Sequence, residues 1–231
     1  AIQHSHVENL RFSGQLIDCK GLANLVKIST DWNQTNIQVD GVFKLSNRCL
    51  DFQDREIPDS ILIVLAEVLP QTKLESICAK GWKKEILSAC LPNSELEEVD
   101  LRQWEGIKNE RDIITLAKVL SNSTIKAVNV GNHWIGKVLN ALLPQSGITK
   151  LEVSDSDTSL SETEAVMLAT LIKGSKITHL RLRNCILGSR GFRAFLEILP
   201  QLQSFEATDK YGMALSALSS DSEIEVLDLI G

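Results

Sequence analysis

The stretch "ITHLRLRNC", residues 177–185, carries apolar residues at its first, fourth and sixth positions, namely Ile177, Leu180 and Leu182. Polar side chains fill the gaps between them, and Cys185 follows at the ninth position. Alternation of apolar and polar residues over a short run is typical of a β-strand that buries one face. The stretch therefore predicts a strand whose three apolar side chains point into a core.

The same pattern recurs along the chain. Copies begin at residues 74, 96, 125, 148, 177, 202 and 224, so successive starts are 22 to 29 residues apart. They read LESICA, LEEVDL, IKAVNV, ITKLEV, ITHLRL, LQSFEA and IEVLDL, the last with Leu227 and Leu229 at the fourth and sixth positions. Two earlier stretches, VENLRF (7–12) and NRCLDF (47–52), fit the same phase. A period of this length indicates a repeat protein.

Segments with helical spacing of apolar residues lie between these strands. The longer ones cover residues 57–70, 109–120, 161–174 and 188–200, and the shorter ones cover 83–92 and 135–144. Asn109 is a predicted N-cap, Ser161 and Glu164 have capping-box spacing, and Gly174 is placed to end its helix. Long and short repeats therefore roughly alternate along the chain.

The repeated phrase resembles the ribonuclease-inhibitor type of leucine-rich repeat, LxxLxLxxNxL, with Cys185 at the Asn/Cys position. The resemblance implies an α/β fold: a curved solenoid, or horseshoe, with a parallel β-sheet on the concave face and helices on the convex face. It implies a single solenoid domain over residues 47–231. Residues 1–46 fit less closely, as irregular N-terminal repeats or a hairpin of the same domain, because the stretch 24–47 breaks the period.

The ninth position departs from the family pattern, because Trp82, Trp104, His133 and Cys185 occupy it where the pattern has Asn. Together with Trp134, the two tryptophans are expected to stack as a bulky seam in the turns after the strands. Packing of this kind is a more common role for such tryptophans than exposure as binding hot spots.

Irregular alternating repeats without cysteine-rich caps also resemble the sensor domain of intracellular NOD-like receptors. That resemblance implies a protein–protein recognition module that senses a ligand or holds its parent receptor inactive, with a role in innate immunity. The chain stops in an apolar strand, whereas solenoids need polar terminal caps. We therefore expect a fragment of a larger protein, able to form oligomers through uncapped ends.

Composition limits the other functional classes. The 231-residue chain has a net charge of −6, which argues against nucleic acid as a partner, and no apolar run long enough for membrane insertion. Its five cysteines have no CxxC spacing, so we expect no structural metal site and a reducing, cytoplasmic location. Cys90 and Cys185 are expected to be buried and Cys78 partly exposed. No catalytic or phosphate-binding motif occurs, which predicts a protein that is not an enzyme and holds no cofactor.

The candidate binding surface consists of the side chains expected to point outward from the concave face. The partner-binding set is Glu97, Glu98, Asp100, Lys126, Lys150, Glu152, His179, Arg181, Arg183 and Glu206. Because parallel strands lie about 4.8 Å apart, Arg181 is expected to bridge Glu152 and Glu206. Two interpretations stay open for this region. One is a solvated ladder of ion pairs worth about 0–1 kcal/mol each, and the other is a basic island that grips an acidic partner.

The acidic cluster of Glu97, Glu98 and Asp100 has few neutralising cations beyond Arg102 and Lys126, so it could receive a basic peptide. The expected partner is a protein ligand or another domain of the parent protein. Two alternatives remain for function. The fold family includes activators of small GTPases, and a bacterial leucine-rich-repeat effector would carry the same pattern.

Overall fold

The computed structural model describes residues 9–13, 21, 24, 36–40, 43–46, 49–51, 59–80, 82–144, 146–154, 160–185, 187–209 and 226–230. It is an α/β structure in which helices and strands alternate over residues 59–209. The strands are β1 (Asn9–Ser13), β2 (Asn36–Asp40), β3 (Phe43–Ser46), β4 (Cys49–Asp51), β5 (Ser76–Cys78), β6 (Glu98–Asp100), β7 (Ala127–Val130), β8 (Lys150–Val153), β9 (His179–Cys185), β10 (Ser204–Asp209) and β11 (Val226–Ile230). The helices are α1 (Asp59–Val68), α2 (Lys84–Cys90), α3 (Glu110–Ser121), α4 (Lys137–Leu142), α5 (Glu162–Ile172) and α6 (Gly188–Leu196).

All of these strands belong to one open sheet, and their order in the sheet is their order in the chain. Every neighbouring pair is parallel except β2 with β3 and β3 with β4, which are antiparallel. The antiparallel β2–β3 pair lies within the stretch 24–47 that breaks the period. Much of the rest of that stretch lies outside the described residues.

The predicted interior row is confirmed. From Ile77 to Leu180 the fourth-position residues are register partners on adjacent strands, and each is at most 2% exposed. The row continues to Leu50 on one side and to Phe205 on the other, and the backbone register extends from Phe205 to Leu227. Its members from Leu50 to Phe205 are Leu50, Ile77, Val99, Val128, Leu151, Leu180 and Phe205. They join the buried residues of the helices in one hydrophobic cluster, so the helices cover this face of the sheet.

The predicted helix caps are confirmed as well. The Asn109 side chain accepts a hydrogen bond from the Asp112 backbone N–H at 3.1 Å. Ser161 and Glu164 form a reciprocal capping box at the start of α5. Gly174 follows that helix with a φ of +79°, a conformation that an L side chain rarely adopts.

A second repeated feature closes the turn between helix and strand. The hydroxyls of Thr72, Ser94, Ser123 and Ser146 each donate to the backbone carbonyl three residues earlier. These hydroxyl residues stand two positions before the start of a strand phrase. At Thr72, Ser94 and Ser123 the backbone N–H of the same residue also donates to that carbonyl, so the amide and the hydroxyl close the end of the helix together.

The tryptophan seam packs as predicted. Trp82, Trp104 and Trp134 are all buried, and the rings of Trp104 and Trp134 are 6.1 Å apart at their centroids. The indole N–H of Trp104 donates to the carbonyl of Trp82 at 2.8 Å. The seam therefore belongs to the core beyond the ends of the strands. Among the described residues, no helix combines the length and the apolar character needed to cross a membrane.

Candidate functional site

The face of the sheet opposite the helices carries the predicted outward side chains. Register pairing aligns six outward side chains, four of them from the predicted set, across adjacent strands from β5 to β10. In order they are Cys78, Asp100, Asn129, Glu152, Arg181 and Glu206. These residues alternate with the interior row along the same strands, so one residue step separates the core from this outer face.

Arg181 lies between two carboxylates, as predicted. Its Nε and Nη2 donate to the two Glu206 oxygens at 2.6 and 2.8 Å, and its Nη1 lies 3.5 Å from Glu152 Oε2. The hydrogen bond from Arg181 lowers the pKa of Glu206. The geometry is bidentate toward Glu206 and looser toward Glu152, so Arg181 is held mainly by the strand that follows it.

Arg183 is also compensated within the face. Its Nε lies 3.1 Å from Glu152 Oε1, so the same carboxylate receives both arginines. The neighbouring His179 shares a 2.9 Å hydrogen bond with the hydroxyl of Thr178. This arrangement is the ladder of ion pairs, and the Glu152 and Glu206 charges offset the basic island of His179, Arg181 and Arg183.

The acidic cluster is neutralised in part by the cations expected from the sequence. Arg102 binds Asp100 through both Nε and Nη2, and its Nη1 reaches the Ser154 hydroxyl at 3.3 Å. Lys126 pairs with Glu97 at 2.6 Å, and this hydrogen bond lowers the pKa of Glu97.

Glu98, the third acid, accepts a 2.8 Å hydrogen bond from the amide of Asn129. This interaction brings no positive charge to the carboxylate. Glu98 therefore differs from Glu97 and Asp100, each of which has a cation within ion-pair distance.

Two depressions adjoin each other on this face, and Glu98 and Asn129 line both. The first has a volume of about 630 Å³ and is lined by Cys49, Asp51, Ser76, Ile77, Cys78, Glu98, Asp100, Arg102, Gln103, Asn129, Ser154 and Arg183. The second has a volume of about 280 Å³ and is lined by Glu98, Ala127, Asn129, Lys150, Leu151, Glu152, His179, Leu180, Arg181, Ser204 and Glu206. Most of the predicted set thus comes together here. Glu97 and Lys126 pair beside the depressions and line neither.

Cys49, Asp51 and Gln103 are three of the nine residues that line the first depression and are absent from the sequence-based set. The phrase NRCLDF contained the signal for two of them, because its third and fifth positions are Cys49 and Asp51. Strand β4 pairs with β5 in that phase, with Leu50 opposite Ile77. No position of the repeated phrase predicted that Gln103 would line this face.

The described thiols are shielded from reaction. Burial raises the pKa of Cys78 to about 11 and that of Cys90 to about 12, and it also raises the pKa of Cys49. Cys90 is buried and Cys78 partly exposed, as predicted, whereas the Cys185 side chain lies outside the described residues. A thiol with a raised pKa is protonated at neutral pH and is a poor nucleophile. Among the described residues, no three His, Cys, Asp or Glu side chains are grouped to hold a metal ion.

Comparison with known proteins adds little. No family model matches the sequence, and no curated protein matches it at a significant level. Among solved structures the chain is similar to "Leiomodin-1 Actin-Binding Site 2 (ABS2)", with a TM-score of 0.38 and 13% sequence identity. That alignment covers 78% of this chain and 86% of the other.

Proposed function

We propose that this chain is a protein-recognition module without catalytic activity, and that the outer face of its sheet binds a partner protein. The single observation that supports this most is the contrast along each strand. The interior row is uniformly aliphatic or aromatic, whereas the aligned outer row changes chemistry at almost every step. A regular scaffold that presents irregular side chains is the arrangement used by solenoid binding proteins.

We further propose that the fold is a leucine-rich-repeat solenoid that curves with its sheet on the concave side. Strand order equals chain order, and consecutive helices pack side by side, α1 with α2, α2 with α3, α3 with α4, and α5 with α6. Helices are wider than strands, so a stack of such units bends toward the sheet. The two depressions would then lie on the concave surface.

The electrostatics of the face support binding rather than chemistry. Its arginines are paired with carboxylates, and its two described thiols, Cys49 and Cys78, have raised pKa values. Side chains arranged in this way offer hydrogen bonds and charge complementarity to a partner. Among the described residues of this face, the raised pKa values of the two thiols make them poor nucleophiles, and the lowered pKa of Glu206 makes it a weaker base.

A matched pair of substitutions tests the proposal. Ala127 lines the second depression. Ala89 is exposed on the outer surface of helix α2, on the other side of the sheet. The whole chain, as wild type, Ala127→Trp and Ala89→Trp, is used to retain proteins from cell extracts, and retention is measured by quantitative mass spectrometry. We expect Ala127→Trp to reduce retention of specific partners by more than about tenfold and Ala89→Trp to leave it unchanged. Reduced retention in Ala89→Trp with unchanged retention in Ala127→Trp would show that partners bind the helices instead.

The narrower expectations from resemblance stay predictions. They are a sensor or autoinhibitory domain of a NOD-like receptor, a regulator of a small GTPase and a bacterial effector. The same holds for the cytoplasmic location and for contact with another domain.

A further inference from the structure

Two charged side chains on the outer face differ from all the others that line the second depression. Among the residues that the structure describes, Glu98 and Lys150 form no ion pair, whereas Glu152, Arg181 and Glu206 are paired with one another. Glu98 accepts one hydrogen bond from the neutral Asn129 amide, and Lys150 is solvent-exposed. The face therefore keeps one negative and one positive group available to a partner.

These two groups lie in the same register row with a small residue between them. Glu98 is opposite Ala127, and Ala127 is opposite Lys150, on strands β6, β7 and β8. Two strand spacings of about 4.8 Å place the backbones of Glu98 and Lys150 roughly 9.6 Å apart. The methyl group of Ala127 leaves space between the two longer side chains, where the second depression opens. We name the arrangement of Glu98, Ala127 and Lys150 the Glu98–Lys150 notch.

The neighbouring pair shows that the same residue types can instead neutralise each other. Glu97 and Lys126 immediately precede the adjacent strands β6 and β7, and their charged groups meet at 2.6 Å. Glu98 and Lys150 are separated by an additional strand, and no ion pair joins them. The extra strand thus makes the difference between an internal ion pair and two groups that remain open to an external one.

We propose that the Glu98–Lys150 notch receives an extended segment of the partner protein that carries a basic side chain for Glu98 and an acidic side chain for Lys150. This inference rests on the proposed function and specifies its chemistry. On an extended segment, side chains two residues apart lie on the same side at about 6.6 Å. Flexible Lys, Arg or Glu side chains span the remaining distance to the two groups.

Such a notch also sets the direction of the bound segment. A peptide with its basic residue first aligns one way across β6 to β8, and a peptide with its acidic residue first aligns the other way. Charge complementarity of this kind contributes mainly to specificity and register. Reversing both charges of the notch should therefore invert the preferred peptide and leave peptide binding itself intact.

A peptide selection on the whole chain tests the inference. A bead-displayed library of random dodecapeptides is selected against the wild type, and the Kd of enriched peptides is measured by fluorescence anisotropy. We expect enriched peptides to carry one basic and one acidic residue two positions apart. Glu98→Lys should weaken them by at least about tenfold. The double variant Glu98→Lys/Lys150→Glu should select and bind the charge-inverted peptides.

The matched control is the double variant Lys173→Glu/Glu197→Lys, which reverses the charges of an exposed ion pair on the helix side of the sheet. It should leave the enriched sequences and their Kd values unchanged. A selection that returns no binding peptide overturns the inference, as do peptides insensitive to Glu98→Lys or equally sensitive to the control. Peptides that lose binding in Ala127→Trp without depending on Glu98 would refute the notch and still support the face as the binding site. Peptides unaffected by Ala127→Trp would instead count against the proposed function.

Discussion

The two faces of the sheet are built from the same strands and differ in almost every property. In β9, Leu180 is 2% exposed in the core, while the next residue, Arg181, has a side chain that is 41% exposed. The interior row repeats one kind of chemistry, whereas the outer row from Cys78 to Glu206 includes a thiol, an amide, carboxylates and a guanidinium. Repetition on one face suits folding, and variety on the other face suits the proposed recognition of a partner.

The energies explain how this separation is possible. Full burial of a Leu or Val side chain contributes about 1.5–3 kcal/mol. An exposed ion pair contributes about 0–1 kcal/mol. Stability therefore comes mainly from the interior, and the outer side chains can vary with little effect on folding. The predictions that follow test this contrast, beginning with the largest expected effect.

The strongest test truncates one member of the interior row. Leu180→Ala should lower the free energy of unfolding by about 2–5 kcal/mol, because it leaves a cavity among packed side chains. Ile63→Ala on α1 is a matched control, since Ile63 is 54% exposed and should change stability by about 0.5 kcal/mol or less. Urea unfolding followed by circular dichroism measures both. Equal losses in the two variants would contradict the account of the core.

The tryptophan seam provides the next test. A Cβ at Gly106 would clash with the Trp104 ring, and the buried indole is held by its hydrogen bond to the Trp82 carbonyl. Gly106→Ala should therefore destabilise the fold by about 1–3 kcal/mol through overpacking.

Gly174→Ala is the control, because a Cβ there meets no atom within 4 Å and the variant bears only the strain of a φ of +79°. We expect that strain to be about 1 kcal/mol. Thermal unfolding should rank Gly106→Ala as the less stable variant. The opposite rank would show that the seam can rearrange.

Acid should weaken the ion pair between Lys84 and the buried Asp112 on the helix side. Asp112 is 5% exposed and accepts hydrogen bonds from Lys84 at 2.5 Å and from the Lys108 backbone at 3.0 Å. The hydrogen bond from Lys84 lowers the pKa of Asp112 in the folded state. Its stabilising contribution is thus fully present above the unfolded pKa of about 3.9 and is lost as the pH falls through the lower folded pKa.

Asp112→Asn should therefore flatten the acid limb, which is the fall in the free energy of unfolding as the pH decreases. Urea unfolding between pH 2 and 7 measures it. Glu197→Gln removes a carboxylate from the exposed pair with Lys173 and should leave that limb unchanged. If the acid limb is identical in Asp112→Asn and in the wild type, the Lys84–Asp112 ion pair does not contribute to the pH dependence of stability.

The smallest effect on stability is expected on the outer face. Arg181→Met should change the free energy of unfolding by about 0–1 kcal/mol. The same substitution should raise the pKa of Glu206 toward its ordinary value, because the bidentate donor is removed. An NMR titration of the Glu206 carboxyl measures this shift. An unchanged pKa would mean that Arg181 does not bind Glu206 in solution.

The features that sequence reasoning recovered depend on local pattern. The interior row, the Asn109 cap, the capping box of Ser161 and Glu164, and the position of Arg181 between two carboxylates all follow from spacing within short stretches. Strand order completed the prediction, because parallel neighbours carry residues of the same repeat position side by side.

The features that were missed depend on side chains from several strands at once. The second depression exists because Ala127 is short where its row neighbours Glu98 and Lys150 are long. No single repeat contains that information. The hydroxyl bonds of Thr72 and Ser94 did have a repeated signal, two positions before each strand phrase, but they stand outside the apolar pattern that defined the repeats.

The most direct test of the two-faced sheet is its register, because the interior and outer rows depend on the same pairings. Interstrand nuclear Overhauser effects between backbone protons can be recorded on the deuterated, amide-exchanged chain. We predict in-register parallel contacts that join Val99 to Val128, Val128 to Leu151 and Leu151 to Leu180. An antiparallel pattern among these strands, or a shift by one residue that exchanges the buried and outer side chains, would contradict the assignment of both faces.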